Sequence, residues 1–208
     1  MEKTKSTTPR KPTRRKRHAE VVEAAARVFN AKGYEGTSIQ DIADELGILK
    51  GSVYYYITSK EDILYEVLEE VHRAGFESAL GALKSDAGTL EQIHSFVSTL
   101  GEFNAENRMR MAILLREVGS LSQPRRREII RERDRYDEIL RDLITEGQDA
   151  GLIAEELDAK IATLAIMGMI NNIYQWYKPS GGFKPSVIGR MYGDLAIRAL
   201  SGKPLPSS

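Results

Sequence analysis

The stretch "GILKGSVYYYITSKEDIL", Gly47 to Leu64, sets three consecutive tyrosines beside a single lysine. Helical residues advance by about 100° each, so three in a row cannot share one buried face. With Val53 taken as the centre of that face, Leu49, Tyr56 and Ile57 fall beside it and are expected to pack. Gly51 and Tyr55 point away, Tyr54 and Ser52 flank, and Lys50 stands at the N-terminal end. One tyrosine is therefore spent on packing, and two are presented outward.

The residues before this stretch say what the outward pair faces. "TSIQDIADELG" starts at Ser38 with Asp41 three residues on, the spacing of a capping box, and stops at Gly47. Ile42, Leu46, Ile48 and Val53 are apolar. Ala43 is small where two helices must approach, and Gly47 supplies the backbone freedom of a tight turn. This is the spacing of a helix-turn-helix, whose second helix reads the major groove with its N-terminal and outward residues. Tyrosines suit that work, offering hydroxyls to phosphates and rings to sugars or thymine methyls.

Charge supports the same direction. The 208 residues carry no formal net charge, but residues 1–57 hold 11 Lys/Arg against 7 Asp/Glu. The run "PRKPTRRKRH", Pro9 to His18, concentrates it, and Arg14, Arg15 and Arg17 are expected to meet a polyanion. The Lys/Thr/Pro-rich residues 1–13 read as a disordered basic tail. No apolar stretch follows them, so they are not expected to be a secretory signal. No apolar run reaches transmembrane length, so no membrane partner is expected. The absence of cysteine removes disulfides, thiol nucleophiles and cysteine-bound zinc, and fits a cytoplasmic location.

The remaining sequence has helical periodicity throughout. "RHAEVVEAAARVFNAKG" carries an apolar stripe that ends at Gly33, and a fourth helix begins at Ser59. The fourth continues over 62–84, and further helices are expected over 89–106, 108–119, 123–150, 158–177 and 185–200. The fold class is all-α. His18, His72 and His94 lie far apart and in no metal-ligand spacing. No phosphate loop, GxGxxG or GxSxG is present, so neither metal, cofactor nor enzymatic activity is expected.

The ordered set "FNAKGYEGTS", "IQDIADELGI", "KGSVYYY" and "SKEDIL" resembles the DNA-binding domain of TetR-family transcriptional repressors, over Glu23 to about Leu68. Ile57 departs from the family's usual Phe. The resemblance implies a subunit of about nine helices, divided into a helix-turn-helix domain over residues 14–60 and a ligand-binding and dimerisation domain over 61–208. It implies a homodimer on a palindromic double-stranded DNA operator, released by a small molecule. Thr37, Tyr54 and Lys60 correspond to phosphate contacts, and Lys50, Gly51, Ser52 and Tyr55 to groove-facing positions. Ser38, which caps the second helix, completes the expected DNA-binding set.

In the second domain a pocket is expected among the middle helices, lined by Phe96, Leu100, Phe103, Met111, Leu114, Leu115, Met167, Ile170, Asn171 and Tyr174. That lining asks for a lipophilic ligand. The last two helices read as a dimer surface through Trp176, Val187, Met191, Leu195 and Ala199, with Ala165 and Gly168 permitting close approach. "YQWYKPSGG" resembles the end of the eighth helix in a subgroup that controls fatty-acid or sterol breakdown and responds to acyl-CoA. No basic residue occurs from Ile161 to Tyr177, so CoA phosphates would need Arg108, Arg110, Arg125, Arg126, Arg127 or Lys178. Two other readings stand beside this one: a helical protein-interaction adaptor without sequence-specific DNA binding, and an enzyme with a helical pocket.

Overall fold

The computed structural model describes residues 14–202, so the tail expected over residues 1–13 lies outside the described residues. All regular structure among them is helical: α1 (Arg14–Lys32), α2 (Ile39–Leu46), α3 (Lys50–Val53), α4 (Lys60–Gly81), α5 (Thr89–Glu106), α6 (Arg108–Glu117), α7 (Gln123–Asp149), α8 (Ala159–Asn171), α9 (Ile173–Trp176) and α10 (Pro185–Leu200), with a 3₁₀ turn at Val118–Ser120.

Local chemistry sets the ends that matter. Ser38 Oγ accepts from the Asp41 N–H at 3.2 Å while Asp41 Oδ2 accepts from the Ser38 N–H at 2.7 Å, the capping box that starts α2. Lys32 and Ser38 on this carboxylate hold it well below the ordinary range. Gly47 ends α2 at φ 64°, a left-handed turn that a side chain would disfavour. Ser59 caps α4 by accepting from the Asp62 N–H at 3.1 Å. Pro124 stands in the first turn of α7, where its missing N–H costs nothing.

Two departures from the sequence reading have plain causes. Leu49, expected to pack, is 81% exposed. It is the extended N-cap of α3 (ψ 142°), so helical phase does not extend back to it. The helix expected over 158–177 is interrupted at Asn172, whose N–H is shared between Gly168 O and Met169 O at 3.2 Å each. α8 and α9 are thus one interrupted helix, and counting them so leaves nine among the described residues.

The interior forms two apolar clusters that meet along α4. The first joins Val21, Phe29, Ile42 and Val53 to Ile63, Leu64, Leu68 and Val71 of α4 and to Ile113 and Leu114 of α6. The second gathers Phe76, Phe96, Leu140, Ile144, Ile166, Ile170 and Ile188 from α4, α5, α7, α8 and α10. The packing therefore does not part at residue 60. α4 runs through both clusters, and α6 is seated in the first. α10 lies closest against α5, because Gly189 and Gly193 remove the side chains that would strike it. A Cβ at Gly189 would run into the Ser98 carbonyl oxygen, and one at Gly193 into Ser98 Oγ.

Candidate nucleic-acid interface and apolar cavity

The turn after α3 carries the tyrosines. Tyr54 and Tyr55 are 50% and 64% exposed, whereas Tyr56 packs against the first cluster and Ile57 is buried. Lys50, Gly51 and Ser52 are exposed, and no atom lies within 4 Å of where a Gly51 Cβ would be. The glycine is therefore not needed for internal packing. The N-terminus of α1 meets the same surface, with the Arg14 guanidinium 5.3 Å from the Tyr55 ring centre. Arg14, Arg15, His18 and Tyr56 line an open recess there. Arg17 pairs with Glu20 at 2.7 Å, and His18 with Glu66 at 3.2 Å.

Thr37 and Lys60, expected at the phosphates, make internal hydrogen bonds here. Thr37 is buried, and its hydroxyl donates inward to Gly33 O at 2.7 Å. Lys60 Nζ donates to the carbonyls of Tyr34 and Thr37 at 2.8 and 2.9 Å, with the ammonium 4.2 Å from the Tyr34 ring centre. Both residues tie down the α1–α2 loop. Ser38 is exposed, but its hydroxyl is engaged by Asp41.

A cavity of about 200 Å³ lies between α4, α5, α6, α7 and α8. Of the residues expected to line it, Leu100 and Phe103 of α5, Met111, Leu114 and Leu115 of α6, and Met167, Ile170 and Asn171 of α8 are on its wall. Two are not. Phe96, one turn before Leu100, is fully buried in the second cluster. Tyr174 follows the break at Asn172, which turns it off the α8 face. It packs against the first cluster, and its carbonyl accepts from Arg108 Nε at 3.1 Å.

Sequence reasoning missed the α4 and α7 walls. Val71, His72 and Gly75 line the cavity from α4, and Ile129, Ile130 and Tyr136 line it from α7. Their signal was faint: three apolar or aromatic residues at helical spacing inside the charged run "RRREIIRERDRY". Gly75 has a packing reason, since a Cβ there would stand 3.0 Å from both Phe103 Cε1 and Tyr136 Oη. Tyr136 Oη donates to His72 O at 2.5 Å, and the two rings meet edge-on at 4.9 Å. Burial pushes the His72 imidazole down to about 4, so it is neutral at pH 7, and pushes the Tyr136 phenol up. Asn104 Nδ2 donates to Ile170 O at 3.2 Å.

Two cations, Arg126 and Arg133, reach the cavity from α7 and keep contact with solvent. Other arginines named as possible phosphate partners are committed elsewhere. Arg110 donates to Glu23 of α1 at 2.6 Å and to Glu70 of α4 at 2.9 Å. Arg125 donates to Asp62 at 2.5 Å, and beside it the Ser122 N–H donates to Glu61 at 2.9 Å. The cavity helices α6 and α7 are thereby pinned to α1 and to the first turn of α4, next to the tyrosine turn.

A third feature is an uncovered apolar face. Ile161, Leu164 and Met169 of α8, Met191 and Leu195 of α10, and Trp176 and Phe183 between them are exposed. Ala199 is exposed, Val187 half-buried, and nothing stands within 4 Å of a Gly168 Cβ. No described helix is long and apolar enough to cross a membrane.

A helix-turn-helix head joined by one long helix to an all-helical body with an internal cavity is the plan of a class of bacterial regulators. Residues 21–67 match the family model for bacterial regulatory proteins of the tetR family, and residues 86–200 match that for the tetracyclin repressor-like C-terminal domain. The chain belongs to the TetR family of transcriptional regulators.

Three relatives narrow the neighbourhood. The transcriptional repressor KstR2 of Mycobacterium tuberculosis is 28% identical over 87% of this chain and 90% of its own. Its solved structure, described as a ketosteroid transcriptional regulator, superposes with a TM-score of 0.83 over 90% of this chain and 96% of that one, at 26% identity. PfmR of Thermus thermophilus gives a TM-score of 0.78 at 33% identity, over 86% of this chain and 97% of PfmR. AibR, solved in complex with isovaleryl coenzyme A and operator DNA, gives 0.77 at 25% identity, over 88% and 97%.

Proposed function

We propose that this regulator is a homodimeric repressor that holds a palindromic operator and releases it when an acyl-CoA fills the cavity. The observation that carries this reading is α4, which supplies one wall of the cavity and starts, three residues after Ile57, beside the tyrosine turn. A ligand that displaces α4 changes where the head sits. Residues 14–60 carry the DNA-reading function and the chain from residue 61 carries ligand and partner binding, with α4 and α6 shared by both.

Three features support the ligand class. The wall is mostly Leu, Ile, Val, Met and Phe, as an acyl group requires. Arg126 and Arg133 stand at one side of it, where CoA phosphates or a free carboxylate would pair. AibR, similar over nearly its whole length, takes isovaleryl coenzyme A. The cavity of about 200 Å³ has room for roughly seven water-sized groups. A short or branched acyl group fits as it stands, and a long chain or fused rings require α4 and α7 to part.

The exposed face of α8 and α10 supports dimerisation with a second copy, which sets two recognition helices on successive major grooves about 34–36 Å apart. Release requires the ligand to prefer the DNA-incompetent state, and a hundredfold preference corresponds to about 2.7 kcal/mol of coupling. The test is a gel shift on an operator selected from random DNA. Acyl-CoA should release it where the free acid does not. Release by the free acid alone would move the ligand to lipophilic acids, and release by neither would overturn the reading.

A further inference from the structure

The seam between α4 and α7 has a space on each side. Inside lies the cavity, and outside runs an open groove of about 550 Å³. His72 of α4 and Ile129 of α7 line both. At about 100° per residue, Val71 and Gly75 fall to one side of His72, and Glu69, Phe76 and Leu80 to the other. Likewise Arg126, Ile130 and Arg133 fall to one side of Ile129, and Glu128, Glu132 and Arg135 to the other. The first sets border the cavity and the second sets the groove. Each helix therefore puts one side chain on the dividing line. His72 and Ile129 are 7% and 4% exposed, so the partition is shut. Tyr136 ties it, donating to His72 O at 2.5 Å and meeting the Phe76 ring at 5.0 Å. His72 Nδ1 is sealed within it without a hydrogen-bond partner, an unfavourable state that water would relieve if the helices parted.

We propose that His72 and Ile129 form a partition that sets chain-length specificity: an acyl chain that outgrows the cavity displaces it and passes between α4 and α7 into the outer groove. This rests on the reading that the cavity takes an acyl-CoA. Arg126 and Arg133 lie on the opposite side of Ile129 from the groove, so an acyl-CoA anchored on them points its chain at the partition. The groove suits an alkyl tail. Tyr65, Phe76 and Leu80 border it, and its arginines are already paired. Arg73 meets Glu69 and Glu77 at 3.2 and 3.4 Å, and Arg135 meets Glu132 at 2.8 Å while lying over the Phe76 ring. A short chain leaves the partition standing. A long one opens α4 from α7, and α4 is the helix that leads to the head.

The experiment measures binding of hexanoyl-CoA and hexadecanoyl-CoA to the full chain by calorimetry. The wild-type protein should bind both. Leu80 is exposed in the groove, about two helical turns along α4 from His72. Leu80→Glu should weaken hexadecanoyl-CoA binding tenfold or more and leave hexanoyl-CoA binding unchanged. Ile129→Ala should raise the affinity for hexadecanoyl-CoA relative to hexanoyl-CoA by tenfold. If that variant fails to fold, Tyr136→Phe, which removes the bond to the His72 carbonyl and keeps the ring, should move the ratio in the same direction. Intact hexadecanoyl-CoA binding by Leu80→Glu would overturn the partition while leaving the acyl-CoA reading in place. So would a wild-type protein that binds hexanoyl-CoA alone, or a ratio that neither Ile129→Ala nor Tyr136→Phe moves. Binding of neither ester would overturn the acyl-CoA reading and this inference with it.

Discussion

Head and body place their aromatic rings in opposite surroundings. In the head, Tyr54 and Tyr55 stand in solvent beside Lys50 and Arg14. In the body, Phe103 and Tyr136 converge on Gly75 around an internal space whose charged lining residues are Arg126 and Arg133. The head therefore presents a surface that acts when something rigid and anionic arrives. The body holds a volume suited to something apolar. Between them α4 belongs to both clusters, and Arg110 and Arg125 tie the cavity helices to the head. Chemistry in one half can then be felt as position in the other.

The largest expected effect is on the proposed assembly through the body. Leu195→Glu places a charge on the exposed α8–α10 face and should give monomers in analytical ultracentrifugation. Operator affinity should fall a hundredfold or more, because one recognition helix reads too few bases. A Leu195→Glu protein that remains dimeric and binds normally would remove that face from the dimer interface.

Acid should separate the halves next. His72 has a lowered pKa in the folded state, so below its ordinary value of 6.5 the unfolded chain takes up a proton that the folded chain refuses. Its contribution is intact above pH 6.5 and is lost as pH falls toward 4, amounting to about 3 kcal/mol at the lower end. Burial holds the Glu66 and Asp137 carboxyls above their usual range, which gives the opposite sign in part of that window. The informative measurement is thus the difference in urea midpoint between wild type and His72→Phe at successive pH values. A difference that does not change with pH would show that His72 is not held neutral.

Two substitutions test the joints. Arg110→Met leaves Glu23 and Glu70 without their half-buried cation and should cost about 2 kcal/mol, between the values for exposed and buried pairs. Lys60→Met should cost about 1–2 kcal/mol by freeing the Tyr34 and Thr37 carbonyls. If it leaves the melting temperature unchanged and only weakens DNA binding, Lys60 is a phosphate contact after all. The smallest effect should come from Tyr55→Ala, with roughly fivefold loss of operator preference, about 1 kcal/mol, and no change in stability.

Legibility followed distance along the chain. The head could be read because its motif is contiguous: the Ser38 cap, the Gly47 turn and the outward Tyr54–Tyr55 pair lie within 18 residues. The internal bonds of Thr37 and Lys60 could not be read, because nothing local reveals that Lys60 donates to carbonyls 23 and 26 positions earlier. Leu49 was misplaced because helical phase was carried back past a cap, and Tyr174 because it was carried forward across a break. The α7 wall stayed hidden because Ile129, Ile130 and Tyr136 are thinly spread among arginines and glutamates that look solvated.

By itself the sequence determined the all-helical class, the helix-turn-helix and its outward tyrosines, and the resemblance that placed the chain in its family. These follow from periodicity, caps and turn residues, which act over one or two helical turns. Tertiary structure alone decided which cations reach the cavity and which tie one helix to another, and that a histidine nitrogen would be buried without a hydrogen-bond partner. Those outcomes depend on which helices pack together, because burial and pairing are set by neighbours distant in the chain.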